Sequence, residues 1–260
     1  MTKRKIIFHI GQPKTGSSAL QAFLSVNANR LAECGIGYPF PEGESTVASG
    51  YCTGNVVHTM QSIARSNGDG SHPEKLGPIS LFENYFLDAI NLGLRDSNES
   101  IVLFSAEGLS APFANFALPV FRQLNMAHEV EIVCFVRDPY DFAISAWKQG
   151  VKTGRRTEDF ETFIRSRIEK KSFGLETVAT YVPAVSDAKL INYDTHRKDI
   201  FTPFLRAIGV SDKLGKFKVP SNSQTNPSVS YSQATALVQA RKIVRSPLFY
   251  AFLFESGTAS

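Results

Sequence analysis

Four short apolar runs along the chain predict the strands of a parallel sheet. They cover residues 5–10, 101–105, 131–136 and 188–193. Stretches with the i, i+3, i+4 spacing of a helix separate them, which is typical of parallel strands joined by helices. Strands in a sheet covered on both faces are apolar at nearly every position, as these are. The pattern therefore predicts an α/β fold, a three-layer sandwich with a central parallel sheet.

Two further stretches depart from this alternation. Residues 38–78 are rich in Gly, Ser, Asn and Pro, which predicts an irregular insertion or lid. A helical pattern then predicts a C-terminal helical segment over about 231–254. Its most apolar part, 248–254, is expected to pack on the core or, in a homodimer, on a second subunit. A chain of 260 residues is long enough for one large α/β domain or at most two small ones, and we expect a single domain over 1–260.

Small and polar residues follow the first strand, and a helical pattern begins directly after them. This stretch, Gly-Gln-Pro-Lys-Thr-Gly-Ser-Ser at 11–18, is called the lysine loop below. The first N–H groups of a helix lack internal partners, and the helix dipole adds partial positive charge there. Lys14 adds a full charge, and Ser17 and Ser18 add hydroxyl donors. The loop is typical of a phosphate site; an ordinary turn with a surface lysine is the alternative.

The spacing within the lysine loop differs from that of the Walker A motif, G-x-x-x-x-G-K-[ST]. Gly11 and Gly16 have the Walker spacing, but Lys14 precedes the second glycine and Ser17 stands where the lysine is required. The dinucleotide fingerprint G-x-G-x-x-G is absent as well. The sequence P-K-T-G-S-S at 13–18 instead resembles the 5′-phosphosulfate loop of sulfotransferases that use 3′-phosphoadenosine 5′-phosphosulfate (PAPS).

A second segment carries a similar resemblance. Arg137 ends the third apolar run, and Ser145 lies about two turns into the helix that follows. The planar guanidinium of arginine matches the oxygens of a phosphate, and serine adds a hydroxyl donor. The R-D-P-x-D sequence, with a serine after it, resembles the 3′-phosphate site of the same family. The alternative is an ion pair between Arg137 and Asp138 or Asp141 at the start of the helix.

This resemblance implies a P-loop NTPase-like sulfotransferase fold and transfer of a sulfuryl group from PAPS to a hydroxyl or an amine. The product is then 3′-phosphoadenosine 5′-phosphate (PAP), and no metal is expected, since a sulfuryl group carries less charge than a phosphoryl group. Lys14 is the candidate for stabilising the leaving group, and Tyr193 is expected near the adenine. The candidate cofactor-binding residues are Lys14, Thr15, Gly16, Ser17, Ser18, Arg137, Ser145 and Tyr193.

Two residues are candidates for the base that deprotonates the acceptor. Ser105-Ala106-Glu107-Gly108-Leu109 resembles a turn of bacterial and carbohydrate-type sulfotransferases, and a glutamate in a cleft can have a raised pKa. Glu107 alternatively only complements the dipole of a helix. His58, within the predicted insertion, is the rival base. His9, in the middle of a strand, is expected to be a core histidine.

The predicted sheet brings these candidates to one edge. In open parallel sheets, ligands bind beyond the carboxyl ends of the strands. Gly11, Glu107, Arg137 and Tyr193 all lie at such ends. The R-K-G triplet of cytosolic aryl and steroid sulfotransferases is missing, which leaves half of the 3′-phosphate clamp unassigned.

Composition restricts the class of protein further. The net charge is +4 and no long Lys/Arg run occurs, so we expect no nucleic-acid partner. Cys34, Cys52 and Cys134 are scattered and odd in number, which favours reduced thiols in a cytoplasmic protein. No run predicts a membrane span. The expected partner is a small-molecule or sugar acceptor; the rival hypotheses are a P-loop small-molecule kinase and a non-catalytic nucleotide-binding relative.

Overall fold

The computed structural model describes most of the chain, and the fold is given for these residues only. The described ranges are 3–40, 54–68, 79–109, 116–170, 175–210, 217–220 and 229–244. The chain divides into two compact units. The first comprises Met1–Arg137 and Gly174–Thr225, and the second Asp138–Phe173 and Asn226–Ser260. The single domain expected over 1–260 stays a prediction.

A parallel sheet of five strands forms the centre of the first unit. The strands are β1 (Lys5–Gly11), β2 (Ile36–Gly37), β3 (Ile101–Glu107), β4 (Glu129–Val136) and β5 (Asp187–Asn192). They lie in the order β2-β3-β1-β4-β5, and every pairing is parallel. The four strands predicted from sequence are confirmed within one or two residues at each end. The sequence did not indicate β2, which pairs only two residues with β3.

Eleven α-helices occur in the described residues. They are α1 (Ser17–Val26), α2 (Ala28–Glu33), α3 (Asn55–Ser66), α4 (Ile79–Asp96), α5 (Ala117–Ala127), α6 (Pro139–Lys152), α7 (Phe160–Glu169), α8 (Leu175–Tyr181), α9 (Tyr193–His196), α10 (Phe201–Ala207) and α11 (Tyr231–Val244), with a 3-10 turn at Val182–Ala184. None of these helices is long and apolar enough to cross a membrane.

Two apolar clusters cover the two faces of the sheet, because successive strand residues point to opposite sides. Ile6 and Phe8 of β1 are fully buried under α3, α4, α5 and α8. Ile7, between them, packs on the other face with α1 and α10. The prediction of an α/β three-layer sandwich with a central parallel sheet is therefore confirmed within the first unit.

His9 is a core residue, as the sequence predicts. Its side chain is 1% exposed, and its Nδ1 lies 2.8 Å from the Ser105 hydroxyl oxygen. Burial disfavours the charged imidazolium and lowers the pKa of His9 to about 3. The ring also meets Phe204 edge-on at 5.3 Å between centroids. His9 is therefore neutral at ordinary pH and contributes to packing.

The prediction of an irregular insertion over 38–78 is wrong for the part that forms helix α3. Residues 54–68 contain a three-turn helix, while 41–53 and 69–78 lie outside the described residues. Its first residue, Asn55, binds the edge of β3 that short β2 leaves uncovered: the side chain donates to Leu103 O at 3.1 Å and accepts from Ser105 N at 2.8 Å. An amide side chain thus substitutes for a neighbouring strand. This long-range contact was invisible in the local composition.

Helices α6, α7 and α11 form the second unit. Trp147 is 1% exposed at the centre of their apolar cluster and donates its indole N–H to Glu158 O at 3.0 Å. Helix α11, Tyr231–Val244, lies within the C-terminal segment that the sequence predicts to be helical. The remainder of that segment, including 248–254, lies outside the described residues.

Candidate functional site

The lysine loop joins β1 to α1 in a tight turn. Thr15 donates its hydroxyl to Gln12 O at 2.6 Å, and Ser17 donates to the same carbonyl at 3.3 Å. Lys14 has a φ of 68°, a left-handed conformation that is uncommon for residues other than glycine. Gly16 follows with a φ of 76°. The two hydroxyl groups and the two left-handed residues hold the loop in a defined shape.

The two glycines of the loop are required by close approaches. A Cβ atom on Gly11 would lie 2.6 Å from the Ser17 hydroxyl oxygen. On Gly16 it would lie 2.8 Å from Ile200 Cδ1 and 3.6 Å from Tyr193 Cε2. Gly16 also needs its positive φ. A larger residue at either position would therefore displace the loop or the side chains that pack on it.

The loop has the properties of an anion site. Gly16 is the N-cap of α1 and has no side chain with which to satisfy the first N–H groups of the helix. The positive end of the helix dipole lies at the same place, and half-buried Lys14 adds a full charge. A phosphate group is complementary in charge to this set of donors.

Arg137, directly after β4, is bound to the lysine loop. Its guanidinium donates to Lys14 O at 3.2 Å, and its backbone N–H donates to Gln12 Oε1 at 3.1 Å. The guanidinium also pairs with Asp194 at 3.3 Å and lies over the Tyr193 ring, 5.3 Å from its centroid. The structure therefore brings Arg137 and Tyr193 together with the loop, at the carboxyl edge that the sequence predicts.

Topology explains why these residues meet at this edge. The chain leaves β1 towards β2 on one side of the sheet and leaves β4 towards β5 on the other. The adjacent carboxyl ends of β1 and β4 are thus a switch point, where parallel sheets open a crevice for ligands. Gln12 follows β1 and Arg137 follows β4, so their hydrogen bond spans that point.

Glu107 lies on the other side of the loop, at the end of β3. Its strand partner is Gly11, and its carboxylate accepts a hydrogen bond from the Ser18 hydroxyl at 3.4 Å. Burial raises the pKa of Glu107, while the Ser18 hydrogen bond and the Lys14 charge act to lower it. The net effect is a raised pKa, which makes this carboxylate a stronger proton acceptor than an exposed one. It can serve as a base beside the anion site.

An apolar cavity of about 170 Å³ opens beside Glu107. Its described wall is formed by helices α3 and α4, the end of β3 with the turn after it, and Phe116 directly before α5. The apolar side chains that line it include Val56, Val57, Met60, Phe82, Phe86 and Phe116. Glu107 is the one polar side chain in the described lining, so the cavity is a hydrophobic chamber with a single carboxylate in its wall.

His58, the rival base, lies in α3 and not in a loop as predicted. Its ring is half-buried, 6.4 Å from that of Phe40 between centroids. The described lining of the cavity takes Val56, Val57 and Met60 from this helix and does not include His58. Glu107 is therefore the candidate that the structure associates with both the cavity and the loop.

Ser145, the remaining predicted cofactor-binding residue, belongs to the second unit. It is half-buried on α6, about two turns from the start of that helix, as the sequence predicts. Its proposed contact with a 3′-phosphate stays a prediction.

Sequence reasoning missed three features of the site. Gln12, 1% exposed, links the loop to β4, and Asp194 pairs with Arg137. Asp194 could have been noticed as the acidic neighbour of Tyr193. The cavity was missed because its wall includes α3, whose apolar Val56, Val57 and Met60 have helical spacing within a region assigned as irregular. No group of three or more His, Cys, Asp or Glu in the described ranges is arranged to hold a metal ion.

The fold and the site define a parallel α/β protein with a lysine-containing anion loop, an arginine bound to it and a carboxylate beside an apolar cavity. The chain is similar to the structure of a sulfotransferase from Alicyclobacillus acidocaldarius, with a TM-score of 0.47 and 18% identity over 92% of this chain and 96% of that one. It is also similar to a retinol dehydratase in complex with androsterone and the inactive cofactor PAP, with a TM-score of 0.35 and 16% identity. That similarity covers 92% of this chain, which spans 64% of the length of the retinol dehydratase. No family model and no curated protein matches the sequence.

Proposed function

We propose that this protein is a PAPS-dependent sulfotransferase that moves a sulfuryl group to the hydroxyl, or amine, of a small acceptor. One observation carries the proposal: the lysine loop is bound to Arg137 on one side and to Glu107 on the other. An anion site, a phosphate-binding arginine and a base are the three parts that this reaction requires. All three lie at the carboxyl edge of one sheet.

The residues of the loop match the nucleotide in charge and in donor groups. The N–H groups at the start of α1, which include those of Ser17 and Ser18, are suited to a 5′-phosphate, and Arg137 is suited to a 3′-phosphate. The ring of Tyr193 lies beside the loop, which supports its assignment to the adenine. PAPS, when bound, supplies an activated sulfuryl group whose leaving group is the 5′-phosphate. Lys14 is the residue that stabilises negative charge on the departing oxygen.

Glu107 deprotonates the acceptor in this proposal. The acceptor oxygen forms its bond to sulfur while its proton passes to the carboxylate of Glu107, and the electron pair of the broken S–O bond stays with the 5′-phosphate. A pKa raised by burial suits a group that must take a proton near neutral pH. His58 is the alternative base, and comparison of Glu107→Gln with His58→Gln distinguishes the two by turnover.

Thermal unfolding with nucleotides tests the donor. PAP at one hundred times its dissociation constant should stabilise the protein by about 2.7 kcal/mol. We expect a clear rise in Tm with PAP and none with ATP plus magnesium, which is the ligand that a P-loop kinase requires. A rise with ATP and magnesium alone would overturn the proposal.

Arg137→Lys tests the 3′-phosphate assignment. Lysine keeps the charge but loses the planar fork, so the preference for PAP over adenosine 5′-phosphate should fall about tenfold. Because Arg137 also supports Lys14 O, damage to the loop would weaken both nucleotides and cancel in this ratio. Arg122→Lys, at an exposed position of α5, is the matched control. An unchanged ratio in Arg137→Lys assigns the 3′-phosphate to other residues.

Measured turnover separates an enzyme from a non-catalytic relative. Labelled PAPS with a panel of acceptors should give a sulfated product that disappears in Glu107→Gln while PAP binding persists. Nucleotide binding without turnover on any acceptor favours the non-catalytic alternative.

A further inference from the structure

The cavity beside Glu107 has a size that limits what it can hold. Its volume is about 170 Å³. A dry apolar cavity of roughly 150 Å³ holds one benzene molecule. The chamber therefore has room for one six-membered ring or a branched chain of similar bulk.

The lining of the cavity selects against a sugar. Val57, Met60 and Phe82 offer no hydrogen-bond partner, and Glu107 is the single polar side chain among the described lining residues. Each sugar hydroxyl buried there would lose its hydrogen bonds to water without gaining a partner, which is unfavourable. A monosaccharide carries several such groups, so the total cost exceeds what burial of its few apolar atoms returns. A hydrocarbon ring loses no hydrogen bonds on entering, and removal of its apolar surface from water favours binding.

The position of Glu107 fixes where the hydroxyl of such a ring lies. The carboxylate stands in the cavity wall and accepts from Ser18, a residue of the lysine loop, at 3.4 Å. A ring seated against the phenylalanines has its best polar partner in this carboxylate. Its hydroxyl is then directed to the edge of the cavity that adjoins the anion site.

We propose that this cavity binds the hydrocarbon part of the acceptor, which is a phenol or an alcohol built on a single ring or a chain of similar bulk. The assignment rests on the proposed function, because it takes the transferred group to come from the lysine loop. It narrows the acceptor from any hydroxyl compound to a small apolar alcohol with one polar end.

Titration calorimetry on the full chain tests this assignment, both with saturating PAP and without it. The probes are 4-methylphenol, cyclohexylmethanol and D-glucose. We expect heat from the two ring alcohols, a negative heat-capacity change that marks apolar burial, and no binding of glucose. Binding of glucose as tight as that of the ring alcohols, or no binding of either ring alcohol, overturns the proposal.

A cavity-filling variant locates the binding. Val57→Phe places a ring inside the chamber and should weaken 4-methylphenol binding about tenfold. Ser62→Phe, which introduces the same aromatic side chain on α3 at a position outside the described lining, should leave binding unchanged. Equal loss in both variants, or in neither, places the alcohol elsewhere and contradicts the assignment.

The response to PAP separates the failure of this assignment from the failure of the proposed function. A Tm rise with PAP in wild type and in Val57→Phe shows that both proteins are folded and that the nucleotide site exists. If the ring alcohols then do not bind, the acceptor assignment alone is wrong. If PAP binds to neither protein, the proposed function fails, and the acceptor assignment that depends on it fails as well.

Discussion

The first turns of α1 and α6 both follow a buried strand, and both resemble phosphate sites in sequence, yet they are built in opposite ways. Helix α6 is capped by Asp138, which accepts hydrogen bonds from Tyr140 N at 2.9 Å and Asp141 N at 3.1 Å, with Pro139 at its first position. The N-cap of helix α1 is Gly16, which has no side chain to cap it. The Asp138 side chain satisfies N–H groups in the first turn of α6, whereas no side chain caps the first turn of α1, which favours α1 over α6 as the place for an anion.

The charges near the two helix starts also favour an anion at α1 over one at α6. A carboxylate at the start of α6 complements the helix dipole and repels a phosphate. At the start of α1 the nearest charge in sequence is the ammonium of Lys14. Arg137 completes the contrast, because it precedes α6 in the chain but donates to Lys14 O and so supports the other turn. The comparison indicates that the anion site belongs to α1.

The largest expected effect is that of Lys14→Ala. A charge-assisted bond contributes about 1.5–3 kcal/mol, so its loss from the leaving group should lower turnover about 10- to 150-fold. The Tm should change little, because Lys14 already carries a Cβ atom at its positive φ and alanine therefore adds no backbone strain. The measurement is kcat with saturating donor and acceptor. Lys170→Ala, an exposed lysine at the end of α7, is the matched control; an equal fall in both variants removes the special role of Lys14.

Gly16→Ala should have the next largest effect. Both Gly16 and Gly35 have a left-handed φ, 76° and 79°, so alanine costs backbone strain at either position. Only at Gly16 does the added Cβ meet another residue among those described, Ile200 Cδ1 at 2.8 Å. We expect PAP affinity to fall about tenfold in Gly16→Ala and to stay unchanged in Gly35→Ala. If calorimetry gives the same affinity for both, the shape of the loop does not control nucleotide binding.

The sequence predicted the parts of the site that are local and missed those that depend on register or long-range contact. The run before Gly11 and the loop after it are adjacent in the chain, so their strand–turn–helix character could be predicted. The pair between Arg137 and Asp194 depends on β4 and β5 lying in parallel, with Val136 opposite Asn192. Helix α3 could not be placed from its mixed composition, because its position follows from the binding of Asn55 to the edge of β3.

Asp138→Ala tests the capped turn of α6. It should lower the free energy of unfolding and leave PAP affinity unchanged. Loss of an aspartate cap typically costs about 1 kcal/mol of unfolding free energy, measured by urea denaturation. PAP affinity should not change, because in this comparison the anion binds at α1. Asp159→Ala is the matched control, since Asp159 caps α7 by accepting from Thr162 N at 2.9 Å. A loss of PAP affinity specific to Asp138→Ala would show that the start of α6 also contributes to the nucleotide site.

The smallest expected effect is a shift in the pH dependence of kcat/KM. It tests whether Ser18, in the first turn of α1, affects the proposed base Glu107. Glu107 acts as a base only when ionised, so kcat/KM should rise with pH as this carboxyl group loses its proton. The Ser18 hydrogen bond lowers the pKa of Glu107 against the opposing effect of burial. Ser18→Ala removes that bond, raises the pKa further and should move the acidic limb of the profile to higher pH. Ser17→Ala is the matched control, because Ser17 donates to Gln12 O rather than to Glu107. If the acidic limb of the profile stays in place in Ser18→Ala, or moves equally in both variants, Glu107 is not the base. His58 is then the remaining candidate.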